Sequence, residues 1–360
     1  MNTDNRIEEG LEGVVVAATR ISDVDGERGR LVVAGHDVES LGGHATFEDV
    51  TGLLWDGALP SAARRDAIRR ALGEARVAAF ASLAPTVVAE RDGMDALRAG
   101  IARLSDDRPE SVTAAVAVIA AAWARRRAGA PPVAPDPALG HAEDVLRMAL
   151  GEAPSRARVD ALDAYLVTVA DHGMNASTFA ARVVASTGSD LVSAITAAIG
   201  ALKGPLHGGA PGPVLDMLDA IASPERAAPW LESELAAGRR IMGMGHRIYR
   251  VRDPRAAVLE RATLALEQAG VTSGRLALAR AVERAAVGVL RERHPNRPLA
   301  ANVEFYTAVL LDTIGLPREL FTPCFAIGRV AGWCAHVAEQ RTNGRMIRPA
   351  SRYVGPAVSA

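Results

Sequence analysis

The chain has 360 residues, 49% of them hydrophobic, and its 41 basic and 42 acidic side chains leave a formal net charge of −1. That length suits about two domains, and that apolar content excludes a disordered chain. The near-neutral balance excludes a surface built for nucleic acid or for an acidic membrane, either of which shows a basic excess.

The polar, partly acidic start (Met1 to Glu9) is wrong for a targeting peptide. Strand signals are confined to residues 11–38, where Gly13–Val16 and Arg30–Val33 flank the polar turn Asp23–Gly29 and predict a short hairpin. Thr46 with Asp49 is a capping-box candidate and opens the first helix. Ala-, Leu- and Arg-rich segments with a period near 3.6 predict helices over 61–78, 87–104, 109–127 and 139–150. The proline-rich stretch 128–137 separates the last two as a loop. The longest apolar run, Val112 to Trp123, falls short of the roughly 20 residues a membrane span needs. Further helices are predicted over 155–188, 190–202, 211–222, 228–238, 253–269, 275–293, 302–314 and 320–341. Cys324 and Cys334 share the last of these, about 15 Å apart along a helix and so too far for a disulfide, which points to a reducing cytoplasm. Gly208-Gly209 and Gly315–Pro317 break the pattern in hinge-like fashion around 209–315, although two ordinary helix ends account for both.

Three polar clusters interrupt apolar surroundings: ADHGMNAST (170–178), KGPLHGGA (203–210) and the glycine-rich IMGMGHRIYRVRDPR (241–255). Asp171 and His172 fall within one predicted buried helix. The glycines around Met242–Gly245 let a backbone pass close to a ligand. For His172, His207 or His246 taken singly, a hydrogen-bonded structural role is the default reading, and their spacing is not that of common zinc motifs. Lys203 is the only lysine, so the positive charge is nearly all arginine. Arg329 lies in an otherwise apolar helix, and burying it requires an anion, from the protein or from a ligand. Arg255 and Arg348 are further arginines in ligand-like settings, and three guanidinium groups suit a dicarboxylate. Glu304, at a predicted helix start, is placed to stay ionised and to act as a base, or simply to offset the helix dipole.

In their order and spacing these segments resemble the citrate synthase family. The motifs that carry the resemblance are ADHGMNAST, GPLHGGA (204–210), MGMGHRIY (242–249) with DPR (253–255), NVEFY (302–306) and RVAGWCAH (329–336). GLEGV (10–14) and a C-terminal Arg-Pro also fit, so the resemblance spans about 10–355. It implies an all-α, two-domain helical fold with a short N-terminal β-hairpin. The large domain would hold 1–208 and 316–360, and a small mobile domain 209–315. It implies a homodimer with its site in the interdomain cleft, and an acyltransferase whose acyl group becomes an alkyl group on transfer. By the resemblance, His207 would hydrogen-bond the thioester carbonyl, Glu304 would remove the α-proton, and His246 would polarise the 2-oxo group. His172, Arg255 and Arg329 would hold the oxaloacetate carboxylates, with Arg348 reaching across from the partner subunit. Met242, Gly243, Met244 and Gly245 would line the CoA site, and Arg250 would meet a phosphate. Acetyl-CoA or propionyl-CoA would be a co-substrate, with no tightly bound cofactor and no metal.

Three positions in two segments depart from the family pattern. The usual base is aspartate, and Glu304 adds a methylene whose intrinsic pKa effect is only about 0.4 units. Reach is the larger issue, since a misplacement of about 1 Å can cost roughly 100-fold in rate. Ala34-Gly35-His36-Asp37 stands where relatives commonly have Arg-Gly-Tyr-Asp, in a segment the resemblance places near the active site. Condensation of acetyl-CoA with oxaloacetate is the leading expectation. 2-Methylcitrate synthesis from propionyl-CoA, one methyl different, is the near alternative. A weakly active ligand-binding or regulatory homologue is a third.

Overall fold

The β-structure near the N-terminus is an antiparallel sheet of three short strands, β1 (Ser22–Asp25), β2 (Arg30–Val33) and β3 (His36–Asp37), in that order. The structure is a computed structural model that describes residues 9–11, 13–208, 211–294 and 299–356. The first strand is not at Gly13–Val16. It lies in the segment expected as a turn, with Asp25 paired to Arg30 across Gly26–Gly29 and Ser22 to Val33. A four-residue connection closes far more cheaply than the loop the Val14–Val16 run would need, so proximity overrides β-propensity. Val15 is left 89% exposed.

Among the described residues, the chain after the sheet is built of helices joined by loops. The first helices are α1 (Val38–Leu41), α2 (Phe47–Asp56), α3 (Ala62–Ala81), α4 (Pro85–Val88), α5 (Gly93–Ile101), α6 (Pro109–Arg127) and α7 (His141–Leu150). α2 opens with the expected reciprocal cap between Thr46 and Asp49. The single helix expected over 87–104 is two, because Asp92 accepts from the N–H groups of Met94 and Asp95 and starts α5 afresh. The helix expected over 155–188 is also two, α8 (Arg156–Val169) and α9 (Ala176–Ser186). The break falls on the histidine cluster. Gly173 takes a positive φ of 59°, and the Asn175 side chain caps α9 through the Thr178 N–H.

The remaining helices are α10 (Leu191–Leu202), α11 (Pro211–Ile221), α12 (Ala227–Ala236), α13 (Pro254–Gln268), α14 (Arg275–Arg293), α15 (Val303–Ile314) and α16 (Phe321–Asn343). α16 runs through the centre, with Phe321 and every residue from Pro323 to Val337 buried, and touches α2, α5, α6, α8, α9 and α10. Gly332 permits this: a Cβ there would meet the Ala170 carbonyl oxygen at 2.2 Å. The helices of 211–314 pack among themselves, and α13 and α15 also rest on α8. Of the hinge-like breaks, Gly315 is the left-handed cap of α15, and Gly209 lies outside the described residues. No helix among the described residues is long and apolar enough to cross a membrane. Both cysteines are free and buried.

Candidate active site

The three sequence clusters reach one another through the α8–α9 turn. His172 on that turn is 6% exposed, and its Nε2 lies 3.1 Å from the Tyr249 hydroxyl. Its ring meets that of His246 edge-on, centroids 5.5 Å apart. Burial, and then the charge of Arg255, push its pKa well below the usual histidine value, with His246, Arg329 and His207 acting in the same direction. The turn is held from both sides. Asp171 accepts from the Gly173 N–H at 2.9 Å, from the Ser22 hydroxyl of β1, and lies 3.0 Å from Nε2 of His336 on α16.

His207 follows α10, with its ring against Phe325. Its Nε2 accepts from the Ser177 backbone N–H at 3.3 Å and lies 2.8 Å from the Ser177 hydroxyl, whose oxygen accepts from Trp333 Nε1 at 3.1 Å. A backbone N–H can only donate, so Nε2 is unprotonated and the ring proton sits on Nδ1. For His246 the arrangement is reversed. Its Nδ1 accepts from the N–H groups of Ile248 and Tyr249, at 3.0 and 3.1 Å, which leaves the proton on Nε2. Burial lowers the pKa of each to about 4, helped by Arg329 at His207 and by Arg255 at His246. Both are neutral hydrogen-bond donors of fixed tautomer.

Glu304 lies in the first turn of α15. The Asn302 side chain accepts its N–H at 3.0 Å while donating to the Gly245 carbonyl at 2.9 Å. Asp253 accepts the Val303 N–H at 3.1 Å and also pairs with Arg255. Two caps therefore tie the Gly245 loop, Arg255 and Glu304 together. Burial, against the pull of Arg255 and with Asp253 acting in the same direction as burial, raises the Glu304 pKa to about 7, so a helix start alone does not set its ionisation.

The two buried arginines differ. Arg255 is held by Asp253 through Nε and Nη2, at 3.0 and 2.7 Å. Arg329 is 1% exposed, donates Nε to the Val169 carbonyl at 2.6 Å and stacks over Phe325. Its Nη2 has no hydrogen-bond partner and no carboxylate pairs with it among the described residues, so the core salt bridge is absent. Burial lowers its pKa to about 10, which still leaves it charged at neutral pH. A buried cation with a free donor is a site for an anion.

The Met242–Gly245 loop is bonded to the strand-like segment before α15, with Gly245 N–H to the Ala300 carbonyl at 2.7 Å and Asn302 N–H to the Gly243 carbonyl at 2.9 Å. Its glycines are required by the protein's own packing. A Cβ on Gly243 would meet Phe305 at 2.9 Å, and one on Gly245 would meet Leu299 at 2.7 Å. Arg250 is exposed, with Glu27 3.9 Å away. Arg348 is not brought to the histidines. It is exposed in the C-terminal segment, where it lines a groove of about 540 Å³ with Leu11, Val14, Phe179 and Arg345.

The family model described as "Citrate synthase, C-terminal domain" matches residues 10–350. The chain belongs to the citrate synthase family. It is 38% identical to the citrate synthase of Haloferax volcanii over 97% of this chain and 96% of that one. It is 39% identical to a 2-methylcitrate synthase of Mycobacterium tuberculosis, over 97% and 91%. Among solved structures, citrate synthase from Thermotoga maritima superposes with a TM-score of 0.87 at 35% identity, covering 99% of this chain and 98% of that one. Citrate synthase from Thermoplasma acidophilum, solved with carboxymethyl coenzyme A and oxaloacetate, gives 0.88 at 28% identity over 99% and 98%. Within this citrate synthase fold, Ser177, Tyr249, Asp253, Asn302 and Trp333 hold the site, and sequence reasoning singled out none of them. The Asn175–Thr178 and Asn302–Glu304 spacings are capping signals that could have flagged two of the turns involved.

Proposed function

We propose that this chain condenses acetyl-CoA with oxaloacetate and hydrolyses the adduct to citrate and CoA. The observation that carries the reading is the opposed tautomers of His207 and His246, two neutral donors beside one buried carboxylate and one unpaired guanidinium. The Glu304 carboxylate takes a proton from the methyl carbon of the thioester while His207 Nδ1–H stabilises the oxygen of the forming enolate. That carbon attacks the 2-oxo carbon, and His246 Nε2–H stabilises the oxygen that becomes the alcohol. Water then adds across the C–S bond and the CoA thiol leaves.

In this reading Arg329 takes one substrate carboxylate through its free Nη2, with Arg255 and His172 beside it, and Arg348 of the partner subunit completes the cage in a homodimer. Residues 209–315 close on the remainder as a small domain and exclude water. Met242–Gly245 and the exposed Arg250 border the CoA. The reaction needs no tightly bound cofactor and no metal. Two buried, unpaired cysteines suit the cytoplasm.

Propionyl-CoA is the competing co-substrate, favoured by the similarity to a 2-methylcitrate synthase. A thiol-release assay with oxaloacetate and each acyl-CoA decides: kcat/KM is expected to be higher with acetyl-CoA, and the opposite ratio selects the methylcitrate reaction. Oxaloacetate binding with no thiol release from either thioester would refute the catalytic reading. Glu304→Gln is expected to abolish turnover while oxaloacetate affinity stays near wild type, and persistent turnover would remove Glu304 from the base role.

A further inference from the structure

Tyr165 is fully buried near the C-terminal end of α8, and its hydroxyl has no hydrogen-bond partner among the described residues. Burying a hydroxyl unpaired is costly, and phenylalanine fills the same space without that cost. A tyrosine here therefore calls for a partner that arrives from outside the protein.

Its position says what kind of partner. Tyr165 lies one helical turn before Val169, whose carbonyl anchors Arg329 Nε. Arg329 Nη2 is a second buried donor with no partner among the described residues. α8 packs against α13, α15 and α16, which carry Arg255, Glu304 and Arg329. The phenol sits in the electrostatic field of Cys324, Arg329, Arg255 and Glu304. Two unsatisfied donors among guanidinium groups ask for one acceptor with several lone pairs, which is a carboxylate.

We propose that the Tyr165 hydroxyl donates a hydrogen bond to the same substrate carboxylate that Arg329 Nη2 receives, making Tyr165 a further residue that binds the 2-oxo diacid. The inference rests on the functional reading above and deepens it. Burial raises the phenol's pKa, so it remains a neutral donor at every working pH. It adds grip on the diacid without adding charge to a cage already rich in cations.

The test is Tyr165→Phe, with oxaloacetate affinity measured by calorimetry, melting temperature measured without ligand, and KM measured for each substrate. The variant is expected to melt at or above the wild-type temperature, because it removes an unsatisfied group. Its oxaloacetate Kd is expected to rise roughly 10- to 100-fold, the loss typical of a hydrogen bond to a charged group, while the KM for acetyl-CoA stays within about twofold. A purely structural phenol would move the melting temperature and leave the affinity alone. An unchanged oxaloacetate Kd overturns the assignment, whatever the melting temperature does. Wild-type protein that fails to bind oxaloacetate overturns instead the functional reading on which the proposal stands.

Discussion

Glu304 shows how one side chain couples stability to chemistry. Its pKa in the folded chain is about 7, above the ordinary 4.5, because burial penalises its charged form. Between those values the native state holds a proton that the unfolded chain has released, so stability falls as pH rises from about 4.5 to about 7 and then levels off. Proton removal needs the ionised form, so kcat/KM is expected to climb with pH through about 7 to a plateau. His207 and His246, with pKa values near 4, stay neutral throughout and add no second limb. A profile that falls over the same range would rule this assignment out. The same burial predicts that Glu304→Gln is more stable than wild type near pH 8, by about 3 kcal/mol at most, with the gap closing toward pH 5. Thermal melts of the two proteins without ligand, at both pH values, check the sign. The sequence placed Glu304 at a helix start, but the neighbours that set its pKa come from elsewhere in the chain.

At the scale of elements, the N-terminal sheet braces the site. Ser22 of β1 bonds the His172 turn, and Gly26 lies against the His246 segment, where Arg250 N–H reaches the Gly26 carbonyl at 2.9 Å. A Cβ on Gly26 would meet the Ile248 carbonyl oxygen at 2.3 Å. The turn between β2 and β3 carries the departure from family pattern noted in the sequence. Ala34 and Gly35 both take positive φ, 43° and 88°, with Val33 paired to His36. A two-residue turn of this kind prefers asparagine first, since alanine pays a steric cost in the left-handed region. Ala34→Asn is expected to stabilise the protein by about 0.5–1 kcal/mol, seen as a rise of roughly 1–3 °C in melting temperature. A lower melting temperature would show that Ala34 is held by packing rather than tolerated in strain. Helical periodicity located most helices to within a few residues. It missed the α8–α9 break because the flanking residues are apolar enough to continue either helix, and only Gly173 and the cap at Asn175 mark the interruption.

At the scale of the molecule, the proposed function draws one arginine, Arg348, from a partner subunit. Arg348 is exposed in the groove that runs beside the C-terminal segment, and in the proposed assembly it serves the partner's site. Mixing Arg348→Ala with Glu304→Gln tests this, because each variant alone is expected to be inactive. After co-refolding at equal amounts, half of the dimers are mixed, and each mixed dimer regains one intact site of two. About a quarter of wild-type activity is therefore expected. No recovery in a verified mixed dimer would place Arg348 in its own chain's site or outside catalysis altogether.

Residue order alone carried the helical class and the family, because periodicity and motif spacing are properties of the chain read in one dimension. It also named the histidines and arginines, since polar groups in apolar runs stand out without coordinates. Tertiary structure alone decided which nitrogen of each imidazole bears the proton, which arginine is neutralised and which is free, and how basic Glu304 is. The His246 tautomer and the pairing of Arg255 with Asp253 rest on neighbours two or three residues away, but still need the fold of their loop. The rest depends on burial and on hydrogen bonds between segments far apart in sequence, such as Ser177 with His207 and Asp253 with Val303, which no local pattern encodes.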